Sequence, residues 1–168
     1  MDGDVSLKYR LLKFEKKWFR SKLDKIPLKF GRVSGNFYCY GNNLTTLEGS
    51  PRYIGGECDC SNNKLTSLVG GPEVVIKTYR ANSNQITSFE GFPDDFESSV
   101  VFGDNPVQNI LNQFPRNLWN RAIQLITNYD AIWNGEVVPE RLEMVKDILE
   151  VPYNYVIPKY YNTNTGPR

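Results

Sequence analysis

The chain repeats itself every 21 residues. "NFYCYGNNLTTLEGSP" covers 36–51, "ECDCSNNKLTSLVGGP" covers 57–72, and "TYRANSNQITSFEGFP" covers 78–93. A fourth, degraded copy, "SVVFGDNPVQNILNQFP", starts at Ser99 and reaches its proline, Pro115, one residue late. A step of 21 back from Leu44 and Leu47 lands on Leu23 and Ile26, so "LDKI" reads as a partial leading copy. A period this short and this constant leaves few folds open. A unit of this size cannot bury its own apolar face, so successive units stack and share one continuous core.

Within each copy, apolar residues alternate and then stop at an asparagine. Phe37 and Cys39 precede Asn42 and Leu44, and Cys58 and Cys60 precede Asn63 and Leu65. Tyr79 and Ala81 precede Asn84 and Ile86, and Val100 and Phe102 precede Asn105 and Val107. A second apolar step follows at Leu47, Leu68, Phe89 and Ile110. Alternation predicts a short strand whose every second side chain points into the coil. A Gly-x-Pro triplet closes the first three copies. Glycine permits unusual backbone angles there, and proline ends regular hydrogen bonding.

The pattern resembles the L-x-L-x-x-N-x-L segment of leucine-rich repeats. The form "F-x-C-x-x-N-x-L-T-x-L-x-G-x-P", complete at Phe37–Pro51 and nearly so at Cys58–Pro72, looks like short leucine-rich-repeat proteins of tailed bacteriophages. The resemblance covers roughly 23–115. It implies an α/β solenoid of about four coils with a short parallel sheet. It also implies asparagine amides bonded to backbone inside each turn, and a virus-encoded, non-enzymatic protein. It transfers no functional residues. Copies three and four depart from it: Ala81 and Phe102 replace the inner cysteine, and Val107–Ile110 lacks the Leu-Thr step.

The repeat register settles how to read the cysteines. Cys39, Cys58 and Cys60 fall on inward strand positions, where a free thiol acts as a small hydrophobe. Three cysteines in C-x-C spacing, with no histidine in the chain, do not supply a zinc site. As register mates, Cys39 and Cys60 would lie roughly 5 Å apart, and a disulfide between them is expected only as an oxidation artefact. An odd cysteine count is not a disulfide framework, and a reducing cytosol fits best. The absence of histidine also removes the usual general base. No phosphate loop, nucleophile elbow or carboxylate pair appears, so no enzyme, cofactor, metal or small-molecule substrate is expected.

Net charge is +1, but its distribution is uneven. Residues 1–32 carry ten Lys/Arg against four Asp/Glu, 33–110 carry four against nine, and 111–168 carry six against six. The start lacks the apolar stretch and cleavage site of a signal peptide, and no run is long enough to span a membrane. The expected location is therefore the host-cell cytoplasm or a virion.

The expected division is a basic helical cap at 1–32, the solenoid at 33–113, a helical cap at 114–151 and a Pro/Tyr-rich tail at 152–168. Leu7, Leu11, Phe14 and Trp18 recur at helical spacing, with Ser6 as N-cap, and predict an N-terminal amphipathic helix. Two C-terminal helices are predicted. One begins at Pro115 and stops at the "WNG" of 133–135, and the other begins at Pro139.

Three outward rows can be read from the register. They are Asn36, Glu57, Thr78, Ser99; then Tyr38, Asp59, Arg80, Val101; then Tyr40, Ser61, Asn82, Gly103. Tyr38, Tyr40, Asp59, Arg80 and Asn82 are the candidate partner-binding residues, because tyrosine and arginine are enriched in binding hot spots. Asp59 and Arg80 would form a cross-strand ion pair. The predicted partner is another protein, either a host factor or a viral assembly subunit. The alternatives are a structural virion component held partly by the tail, and nucleic-acid binding through the basic head. That head carries Lys8, Arg10, Lys13, Lys16, Lys17, Arg20, Lys22, Lys25, Lys29 and Arg32.

Overall fold

A computed structural model describes residues 1–7, 10–14, 17–93, 95–96 and 99–151. The alternating segments form very short strands: β1 (Val5–Ser6), β2 (Arg10–Phe14), β3 (Lys17–Ser21), β4 (Arg32–Val33), β5 (Phe37–Tyr38), β6 (Tyr53–Ile54) and β7 (Cys58–Asp59). They continue with β8 (Val74–Val75), β9 (Tyr79–Arg80), β10 (Asp95–Phe96) and β11 (Val100–Val101). Then come α1 (Gln108–Leu111), α2 (Trp119–Asn128), a hairpin of β12 (Ile132–Trp133) and β13 (Glu136–Val137), and α3 (Pro139–Ile148).

Two parallel sheets build a β-solenoid of about three turns. The first has five strands in the order β1-β5-β7-β9-β11, and the second has four in the order β10-β8-β6-β4. Register mates in the first sheet are Phe37↔Cys58, Cys58↔Tyr79 and Tyr79↔Val100, each one period apart. In the second they are Arg32↔Tyr53, Tyr53↔Val74 and Asp95↔Val74. Each coil therefore carries two strands. The inward residues Val33, Ile54 and Val75 of the second sheet and Phe37, Cys58 and Tyr79 of the first all enter one core, with 0–2% of their surface exposed.

The leading copy is real but interrupted. Val5 pairs with Phe37, 32 positions on rather than 21, so 11 extra residues lie inside that coil. Ile26 joins the core, and Leu23, partly buried, packs against it. Part of the insertion is an antiparallel ladder, β2 with β3, running from Arg10↔Ser21 to Phe14↔Lys17. This corrects the expected N-terminal helix. Apolar residues come here as the doublets Leu11-Leu12 and Trp18-Phe19, which fit a helical stripe and a strand equally well. The aromatic residues Phe14, Trp18 and Phe19 favour extended backbone, and a strand partner close in sequence satisfies it.

Turn chemistry repeats with the coil. Gly41, Asn62, Ser83 and Asp104, spaced by one period, take left-handed φ of 73°, 55°, 54° and 57°. Gly49, Gly70 and Gly91 do the same at 96°, 79° and 80°. A Cβ on Gly91 would sit 2.4 Å from the Leu68 carbonyl carbon, so backbone angle and close coil approach both demand glycine.

At the C-terminal end, Ala122, Ile123 and Ile126 of α2 and Leu142 and Val145 of α3 cover the last coil. The indole of Trp119 donates to the Phe114 carbonyl at 3.1 Å. Lys146 is buried in this cap, and desolvation pushes its ammonium down to about 8, with Glu143 opposing. The predicted helix stop at "WNG" is instead the turn of the β12–β13 hairpin. Asn134 and Gly135 both have positive φ, 50° and 78°, as a two-residue turn between twisted strands requires.

Candidate functional site

The outward face of the five-stranded sheet carries the predicted rows in the predicted register. Ser6, Tyr38, Asp59, Arg80 and Val101 are consecutive mates across it. Tyr38, Tyr40, Asp59, Arg80 and Asn82 are all half-buried. The rings of Tyr38 and Tyr40 meet edge to face, with centroids 6.3 Å apart and planes at 75°. The Ser61 hydroxyl donates to Asn82 Oδ1 at 2.6 Å, and the Asn36 side chain accepts from the Glu57 amide at 2.7 Å. Thr78 and Ser99 hydroxyls lie 3.3 Å apart. The face is thus a network of polar groups tied across strands, held on a rigid ladder.

The ion pair differs from expectation. Arg80 Nε bonds Glu57 rather than Asp59. Asp59 instead turns back on its own strand, accepting from the Ser61 amide at 2.9 Å. The local backbone bond costs a short side chain little entropy, whereas the longer glutamate reaches diagonally across the ladder.

Beneath this face sits a ladder of buried asparagines. Asn63 Nδ2 donates to the carbonyls of Cys39 and Cys60 at 3.1 and 3.0 Å, and its Oδ1 accepts from the Leu44 amide at 3.0 Å. Asn84 and Asn105 repeat this pattern one and two coils on. Asn42 does the same toward the interrupted leading coil, reaching the Leu7 carbonyl and the Leu23 amide. Each amide joins two coils at the point where the chain leaves the sheet, which fixes the spacing of the face above.

Cys39, Cys58 and Cys60 are buried free thiols. Burial raises all three above the ordinary thiol value, Cys60 to about 12. Burial first, and then the three neighbouring cysteines, also raise the phenol of Tyr79, which is fully enclosed in the core. Thiols held protonated here are poor nucleophiles and poor ligands. Among the described residues no grouping of Cys, Asp or Glu is placed to hold a metal ion. No described helix is long and apolar enough to cross a membrane.

Of the basic head, Lys22, Lys25, Lys29 and Arg32 are exposed, and the Arg32 guanidinium lies 3.8 Å from the Tyr53 ring centroid. Arg10, Lys13, Lys17 and Arg20 belong to the β2–β3 ladder, while Lys8 and Lys16 lie outside the described residues. The Pro/Tyr-rich tail at 152–168 also lies outside them.

Sequence reasoning missed the second sheet and the strand at Val5–Ser6. The second sheet had a signal. Arg32-Val33, Tyr53-Ile54, Val74-Val75 and Asp95-Phe96 recur at the same period, each ending in an apolar residue. A scan against protein-family models and searches of curated proteins and of solved structures found no match.

Proposed function

We propose that this chain is a non-enzymatic protein-binding module, a leucine-rich-repeat solenoid of about four coils encoded by a bacteriophage. It grips a host or viral protein through the outward face of the five-stranded sheet. The observation that carries this reading is the register line Tyr38–Asp59–Arg80, flanked by Tyr40 and Asn82. Aromatic, acidic and guanidinium groups stand side by side on backbone that is bonded from strand to strand. Such a surface presents hot-spot chemistry with little side-chain entropy left to lose on binding. The buried thiols, and surface hydroxyls tied to other polar side chains across the strands, favour recognition over catalysis.

The test is affinity capture from infected-cell lysate alongside mass spectrometry of purified virions. The reading expects one protein retained by the native chain and lost with Tyr38→Ala combined with Arg80→Glu, while the circular dichroism spectrum stays unchanged. Retention of every captured protein by the double variant would sink it. Recovery at fixed copy number in particles would make the partner a viral assembly subunit.

A further inference from the structure

A concave site lies away from that face. The turn of the third coil at Ser88–Glu90 and the segment from the end of α2 to the β12–β13 turn enclose a cleft of about 350 Å³. Glu90, Thr127, Asp130, Trp133 and Asn134 line it. Trp133 is 37% exposed, whereas Trp119, the other tryptophan of this cap, is buried. The tip of the hairpin is held against the coil: a Cβ on Gly135 would make ordinary contact with Thr87 at 3.6 Å.

The electrostatics of this cleft have one sign. It takes two carboxylates, Glu90 and Asp130, and no basic side chain is among its lining residues. Among the described residues neither carboxylate is in an ion pair. Arg141 approaches Asp130 but donates to its main-chain carbonyl at 3.2 Å. The carboxyl end of α2, whose dipole is negative, finishes at Asn128 beside Thr127. A partly exposed tryptophan sharing one cleft with two carboxylates and the end of a helix suits a positively charged group with a flat or apolar body.

We infer that this cleft binds an organic cation of the arginine or lysine side-chain class, with Trp133 against its face or stem and Glu90 and Asp130 opposing its charge. The site is separate from the outward sheet face and stands or falls independently of the proposed protein binding there.

The experiment is a titration of the full chain with N-acetylarginine amide, following the Trp133 indole N–H by NMR, with sodium chloride at matched ionic strength as control. A saturable shift at Trp133 with arginine amide, absent with salt, is the expected result. Glu90→Gln and Asp130→Asn should each weaken binding by about three- to tenfold, the size expected for one nearby charge in a partly screened site. Both residues are exposed, and asparagine tolerates the positive φ of 48° at Asp130, so the fold survives these changes. A parallel titration with spermidine separates a protein-borne cation from a free polyamine, the tighter binder naming the source. No saturable shift with either probe, or equal affinity in both carboxamide variants, would overturn the inference.

Discussion

Asn63 and Cys39 stand 24 positions apart, yet the amide of one bonds the carbonyl of the other at 3.1 Å. The same nitrogen also holds the Cys60 carbonyl of its own coil, so a single side chain satisfies buried backbone in two successive turns. Four such residues, Asn42, Asn63, Asn84 and Asn105, line up along the solenoid. Leucine would fill the volume but leave the buried Leu44 amide unpaired and take one of two donors from the Cys39 and Cys60 carbonyls, which keep the Asn42 and Asn84 amides. Asn63→Leu should therefore cost about 1–3 kcal/mol, read as a lower midpoint in urea unfolding. An unchanged midpoint would mean that water or neighbouring backbone replaces the amide.

Gly70 offers a second test of coil packing. Its φ is 79°, and a Cβ there would sit 2.7 Å from the Glu48 nitrogen. Gly70→Ala should destabilise by about 1–3 kcal/mol. Gly103→Ala, where the nearest atom would be 4.0 Å away, is the matched control and should be close to neutral. Equal losses at the two positions would show that glycine content, not coil contact, sets the cost.

Arg80 is coupled to Glu57 and not to Asp59. A double-mutant cycle of Glu57→Gln with Arg80→Met should give a coupling of about 0.3–1 kcal/mol that shrinks in high salt, as exposed pairs do. The cycle of Asp59→Asn with Arg80→Met should be additive. Coupling in the second cycle and none in the first would restore the pairing that simple register suggests.

The thiols and the Tyr79 phenol predict alkaline lability. Their folded values lie above the unfolded ones, near 9.0 for cysteine and 10.0 for tyrosine. The native state thus holds protons that the unfolded state releases. The stability they contribute is complete below about pH 9 and is lost as pH climbs toward the raised values, about 12 for Cys60. Urea midpoints should fall between pH 9 and 10.5, and less steeply in Cys60→Ala. Thiol labelling at pH 8 should proceed at the unfolding rate, and rapid labelling of native protein would show an accessible thiolate.

The repeat made much of this legible. Inward positions such as Phe37, Cys60 and Ile86, the asparagine turns and the glycine-proline closures follow from alternation and from a constant period, both local properties of the chain. The outward rows followed as well, because register in a solenoid is the period itself. The second sheet was only half legible, since each of its strands is two residues long and alternation over so short a span carries little signal.

By itself, then, the sequence determined a stacked solenoid, its core and the asparagine ladder. Each of these depends on one coil meeting an equivalent coil, and a fixed spacing guarantees that meeting. The tertiary structure alone decided that Val5 pairs with Phe37 across an insertion, that the basic segment forms a ladder instead of a helix, that Arg80 turns to Glu57, and that the cap encloses a cleft beside Trp133. Those outcomes depend on non-equivalent segments competing for the same neighbours, and which contact wins is set by packing geometry that no local period encodes.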